Sequence, residues 1–167
     1  TIFSVCRYGN IMASRGSLFE VFKKQLSEGK PLTVTDPSMT RFTMLQEEAI
    51  NFVLNCVERM IGAEVFIPKL PSYSLEQVIQ CLNNPPIELI GVRAGEKFHE
   101  LMISTDESHQ AFEFRDFFIL TPLQEYQIQN FKIERYADLN PQKLKANQPY
   151  SSQNATRISN ERLIKLI

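Results

Sequence analysis

Residues 2–10 read IFSVCRYGN: a β-branched and aromatic run over 2–8 closed by Gly9-Asn10. That composition, with a turn pair behind it, predicts a buried interior strand. From Ser17 the apolar positions Leu18, Val21, Phe22 and Leu26 fall at helical spacing, and Gly29 followed by Pro31 supplies the stop. The chain therefore opens as strand, short loop and helix.

The same alternation continues outward. Residues 32–35 (LTVT) form a short strand ended by Asp36-Pro37. Thr43 with Gln46 makes a weak capping box before Leu45, Ala49, Phe52, Val53, Cys56, Val57 and Met60, the clearest helical stripe in the chain. Residues 64–67 (EVFI) are a strand, and Ser74 with Gln77 caps a helix bearing Leu75, Val78, Ile79 and Leu82 that Pro85-Pro86 ends. Residues 87–92 (IELIGV) are a strand running into 93–97 (RAGEK), after which Phe98, Leu101 and Met102 continue as a short helix. Residues 117–120 are a last apolar run. Gln, Asn, Lys and Pro then dominate to Pro149, suggesting an extended or poorly ordered arm, and 159–167 recovers helical spacing. Strands alternating with helices imply an α/β fold with parallel pairing, and the count fits the second half of a doubly wound enzyme.

Composition narrows the partners. The 167 residues carry 18 Lys plus Arg against 19 Asp plus Glu, a formal charge of −1. No basic excess points to nucleic acid and no charged run makes an interaction tail. No apolar window is long enough to span a membrane and no signal segment leads the chain, so a cytoplasmic protein is expected. Cys6, Cys56 and Cys81 sit singly among apolar residues as reduced buried thiols would, and neither they nor His99 and His109 have metal-ligand spacing, so no metal site is expected. Thr1 is not Met and the chain enters its first strand with no leading cap, so the sequence reads as cut from something longer.

Three clusters place charge or amide groups where a plain fold needs none. Arg7-Tyr8-Gly9-Asn10 with Ser14-Arg15-Gly16-Ser17 brings an amide and a helix N-terminus together, suiting an anionic or sugar ligand; a strand exit and Ser cap is the plainer reading. Arg41, within Met39-Thr40-Arg41-Phe42 ahead of a helix, offers a planar fork for phosphate or carboxylate, or is a surface arginine. Arg93-Ala94-Gly95-Glu96-Lys97 follows an apolar strand, where Arg93 could meet a diphosphate while Glu96 accepts from ribose hydroxyls; a solvated helix start is the alternative. No GxGxxG loop and no supported nucleophile, base and acid arrangement occurs, so no self-contained reaction centre is expected.

These runs, together with Thr35-Asp36-Pro37 and the stretch from Ser4 to Ile11, resemble the C-terminal half of the inverting UDP-N-acetylglucosamine 4,6-dehydratases, extended short-chain dehydrogenase/reductases of bacterial polysaccharide and nonulosonate biosynthesis. The likeness is strong from Ile2 to about Ser104, and Tyr150-Ser151-Ser152 with Asn154 resembles the family's end. It implies the C-terminal part of a Rossmann-like doubly wound fold plus a small α/β substrate-binding portion. Residues 1–122 would be the substrate-binding portion with the last Rossmann strands, 123–149 an arm, and 150–167 a C-terminal helix segment. It implies UDP-sugar binding by Asn10, Arg15, Arg41, Arg93 and Glu96, with Tyr8 and Asn10 near the nicotinamide of NADP in the complete enzyme, itself a homo-oligomer. The family's cofactor loop and its tyrosine and lysine precede residue 2, so no catalytic residue and no bound cofactor are expected in this chain alone. The alternative is a non-catalytic remnant acting as a binding or assembly module.

Overall fold

The computed structural model describes residues 1–12, 17–122 and 132–167. They form two compact units threaded alternately by the chain: residues 1–8, 47–69 and 101–151 make the first, and 9–46, 70–100 and 152–167 the second. The units interleave along the chain because the strand partners of each come from segments distant in sequence.

In the first unit, β1 (Val5–Cys6), β4 (Val65–Pro68), β8 (Ala111–Glu113), β9 (Phe117–Leu120) and β10 (Gln142–Lys143) form one sheet in the order β1-β4-β9-β8-β10. Only β1 and β4 pair in parallel; the other neighbours are antiparallel. The opening strand is shorter than its apolar run and occupies an end of the sheet, with Phe3 76% and Val5 55% exposed, not the interior expected from composition. Helix α2 (Gln46–Arg59) turns Cys56 into a core with Phe66, Phe114, Ile119 and Tyr136. Phe114 and Phe117 stack at 4.6 Å.

The sequence expectation of a loose arm fails over its described part, and residues 123–131 lie outside the described residues. Residues Ile133–Leu139 form a 3-10 helix whose Tyr136 is buried and donates its hydroxyl to Glu64 Oε1 at 2.9 Å. Glu64 is fully buried and also accepts the backbone N–H groups of Ile61 at 2.6 Å and Gly62 at 2.7 Å. A buried carboxylate survives when its oxygens are occupied by donors, and here a tyrosine from the polar-looking segment supplies one. The short helix expected after Lys97 is instead β7 (Leu101–Ile103), antiparallel to β11 (Tyr150–Ser151). Phe98, Leu101 and Met102 fit a helix locally, but a partner almost fifty residues further along the sequence decides for strand.

The second unit holds α1 (Leu18–Ser27) and α3 (Leu75–Cys81), each capped as its sequence predicts: Ser17 Oγ accepts from Glu20 and Ser74 Oγ from Gln77. β2 (Leu32–Val34) pairs in parallel with β6 (Ile87–Leu89), and β3 (Thr40–Phe42) pairs antiparallel with β5 (Ser72–Ser74). The C-terminal helix α4 (Asn160–Leu166) buries Leu163 in a core with Phe22, Leu32, Val34 and Val78. The fold is thus mixed α/β with parallel strand pairs, as read from the alternation.

Tyr136→Phe removes a donor from a buried carboxylate and is expected to cost about 1.5–3 kcal/mol in a denaturant melt. Unchanged stability would show that residues 132–139 do not clamp the first unit.

Candidate functional site

The register of β3 on β5 sets Arg41 directly opposite Tyr73. Along β3 the burial alternates, Thr40 and Phe42 buried and Arg41 between them half-buried, as the two-residue period of a strand requires. Arg41 and Tyr73 thereby reach a cleft of about 340 Å³ in the second unit, whose lining also includes Asn10, Thr35 and Glu96. Asn10 is held there by its backbone: its carbonyl accepts from Met44 N–H at 3.2 Å, and Met12 N–H donates back to Met44 at 2.8 Å.

Arg41 is anchored without being neutralised. One guanidinium nitrogen donates to the carbonyls of Thr40 at 2.8 Å and Phe98 at 3.1 Å, while the other lies 3.6 Å from Glu96 Oε1. That separation is too long for a charge-assisted hydrogen bond, so the ion pair is loose and an entering anion can share the guanidinium. Glu96 itself sits at the end of a tight turn, its N–H donating to Arg93 O at 3.0 Å. Gly95 takes φ +81° at the third position, where a residue with a Cβ would be strained.

Tyr73 is buried, and its phenol is pushed up to about 12, first by burial and then by the nearby Glu100 carboxylate, with Arg41 opposing. It is a neutral hydroxyl at physiological pH and cannot serve as a base in this state.

Three sequence-predicted residues, Asn10, Arg41 and Glu96, therefore converge on one cleft. Arg93 does not: it is exposed on the turn and absent from the lining. The expected helix start after 93–97 is missing; the turn is closed instead between Arg93 and Glu96, the Arg93 N–H lying 3.4 Å from Glu96 Oε2. Tyr8, 39% exposed, belongs to the first unit, whereas the cleft is built wholly from the second. Arg15 lies outside the described residues. Arg7, in the same motif as Asn10, is spent structurally: it makes a fork to Glu107 at 2.9 and 3.0 Å and donates to Met102 O at 2.7 Å.

Sequence reasoning assigned no role to His99 or Glu100, and both are central. Glu100 Oε1 accepts from Asn10 Nδ2 at 2.7 Å and Oε2 from Phe42 N–H at 2.8 Å. His99 Nδ1 lies 2.8 Å from Thr40 Oγ1, which lies 2.7 Å from Ser152 Oγ. The one available signal was a His-Glu pair following an arginine turn; its partners are some sixty to ninety residues away in sequence.

Among the described residues no group of three His, Cys, Asp or Glu side chains is placed to hold a metal, and no helix is long and apolar enough to cross a membrane. The glycines with positive φ, Gly29, Gly62, Gly91 and Gly95, mark separate turns and make no glycine-rich loop ahead of a helix. The described residues thus do not fit the phosphate cradle of a dinucleotide.

Comparison with known proteins identifies the family to which this mixed α/β chain belongs. A family model described as polysaccharide biosynthesis protein matches residues 1–122, and the chain belongs to that family. It is 48% identical over 124 residues to a UDP-N-acetylglucosamine 4,6-dehydratase (inverting) of Campylobacter jejuni subsp. jejuni serotype O:2, covering 73% of this chain and 37% of that protein. A protein of the same description from C. jejuni serotype O:23/36 is 42% identical over 97% of this chain and 49% of its own length. A UDP-glucose 4-epimerase of Rickettsia massiliae is 33% identical over the whole chain and 49% of its own length. Among solved structures, Pen from Bacillus thuringiensis superposes with a TM-score of 0.79 at 35% identity, covering 99% of this chain and 49% of that one. The chain spans about half the length of the curated relatives it matches or less.

The Arg7 fork holds the Glu107 carboxyl below the usual carboxylate range, helped by the Ser104 N–H. A lowered folded value means stability that is present above about pH 4.3 and lost as pH falls through that folded value. Glu107→Gln is therefore expected to lower stability by about 1 kcal/mol near pH 7, with the difference from the parent shrinking in acid. A penalty equal at pH 7 and pH 3 in thermal melts would contradict this assignment.

Proposed function

We propose that this chain is the nucleotide-sugar-binding half of a UDP-N-acetylglucosamine 4,6-dehydratase of the carbon 5 inverting type. The observation that carries the reading is the meeting of Arg41, Glu96 and Asn10 on one cleft. Arg41 supplies a guanidinium for the diphosphate, Glu96 accepts ribose hydroxyls, and Asn10 reads a polar group of the sugar. The names of the relatives support a UDP-sugar as ligand. The dehydratase is preferred over the epimerase because identity rises from 33% to 42% over comparable coverage.

In the complete enzyme NADP would supply the hydride-transfer chemistry. Residues beyond these 167 would hold it, and Tyr8 would lie near its nicotinamide. Arg93 acts as a second cation only if its turn closes on the ligand, so the diphosphate is assigned first to Arg41. Arg15 completes the proposed set. A cytoplasmic enzyme working as a homo-oligomer fits this reading.

Titration calorimetry with the purified chain tests it. UDP and UDP-N-acetylglucosamine are expected to bind, without turnover and without stoichiometric binding of NADP. Arg41→Ala is expected to weaken UDP binding about tenfold to a hundredfold, and Arg93→Ala by less. Absence of UDP binding overturns the reading, turnover by the chain overturns its restriction to binding, and a larger effect at Arg93 overturns the assignment to Arg41.

A further inference from the structure

Asn10 lines the cleft with a carboxamide, which can present either a carbonyl acceptor or an amino donor. Its neighbour resolves the ambiguity. Glu100 Oε1 is 2.7 Å from the Asn10 amide and Oε2 2.8 Å from Phe42 N–H, two different oxygens each facing a donor. The backbone N–H of Phe42 cannot turn round, because β3 is fixed by its pairing to β5. The Glu100 backbone is fixed as well, its N–H donating to Ser152 Oγ at 2.9 Å and its carbonyl accepting from Ser152 N–H at 2.8 Å. An ionised carboxylate only accepts, so the amino group of Asn10 must face Glu100 and its carbonyl oxygen must face away.

We propose that Glu100 is a positioning residue that fixes the polarity of Asn10, so that the cleft offers a carbonyl acceptor and selects a ligand bearing a hydroxyl or amide N–H donor at that point. This rests on the reading of the cleft as a nucleotide-sugar site and deepens it: phosphate oxygens go to Arg41, and a sugar hydroxyl or acetamido N–H goes to Asn10. Burial keeps the Glu100 carboxyl above its ordinary value, opposed by the Phe42 N–H, Arg41, the Asn10 amide and Lys97.

The proposal has an inversion test. In Glu100→Gln the glutamine carbonyl must remain on the fixed Phe42 N–H, which leaves its amino group facing Asn10. Asn10 then turns its carbonyl inward and offers the cleft a donor. In Asn10→Asp alone, two carboxylates face each other and the aspartate is driven off. In the double variant the Gln amino group meets one Asp oxygen, the other faces the cleft, and the acceptor is restored with the parent's net charge.

The probes are UDP and UDP-N-acetylglucosamine, titrated into the chain and its three variants. Each single variant is expected to lose about tenfold in affinity for UDP-N-acetylglucosamine, and the double variant to recover to within about threefold of the parent. A double variant no better than the weaker single, or a Glu100→Gln chain that binds as the parent does, overturns the proposal. Should Glu100→Gln not fold, Asn10→Asp decides alone, because Asn10 is exposed: parent-like affinity in that variant overturns the polarity rule. A parent chain that binds neither probe overturns the nucleotide-sugar reading itself, whereas binding of UDP with no effect of any variant removes only the role of Glu100.

Discussion

The hydroxyl of Ser152 is fully buried, and the cleft-bearing unit is organised around it. It accepts the Glu100 N–H at 2.9 Å, lies 2.7 Å from Thr40 Oγ1 and 3.1 Å from Thr40 O. One side chain thus joins the C-terminal segment, β3 and the residues after the arginine turn. A buried hydroxyl costs free energy unless its bonds are made, so these three segments must take up their native spacing together. That spacing puts Arg41 beside Tyr73 and aims Glu100 at Asn10. Arg157 extends the same tie, donating to Ser72 Oγ at 2.6 Å and Ser152 O at 2.9 Å.

Two half-buried arginines show how geometry separates structure from function in this chain. Arg7 is matched by a carboxylate fork at 2.9 and 3.0 Å and by a carbonyl, so its charge is satisfied within the fold. Arg41 has carbonyl anchors on one nitrogen but a carboxylate at only 3.6 Å on the other. Both stand in motifs that the sequence singles out. The two therefore differ in how closely a carboxylate meets the guanidinium, closed at Arg7 and loose at Arg41.

Helices were legible because their signals are local. Ser17, Ser74 and the periodic stripe from Leu45 to Met60 placed α1, α3 and α2 within a residue or two. The site was partly legible, in that Asn10, Arg41 and Glu96 announced themselves as polar groups beside turns. β3 was not: Thr40-Arg41-Phe42 alternates correctly but is three residues long, and β5, its partner, begins thirty residues later. β7 was misread for the same reason. The partners of Glu100 and Ser152 were not legible, since they lie in segments ninety and fifty residues away in sequence.

The chain passes between its two units after residues 8, 46, 69, 100 and 151. Asn10, Glu100 and Ser152 each stand within two residues of such a passage. At a passage the backbone leaves one sheet ladder before another takes it up, and its N–H and C=O groups need other partners. Side chains supply several of them here: Glu100 takes the Phe42 N–H, and Ser152 Oγ takes the Glu100 N–H. Polar residues needed to close the backbone at these points are therefore held in fixed orientations, with one face committed to the fold. The face left over is what a ligand can read. A short Asn-to-Glu contact at 2.7 Å thus serves both needs, completing the passage at Glu100 and giving the cleft a defined polarity at Asn10.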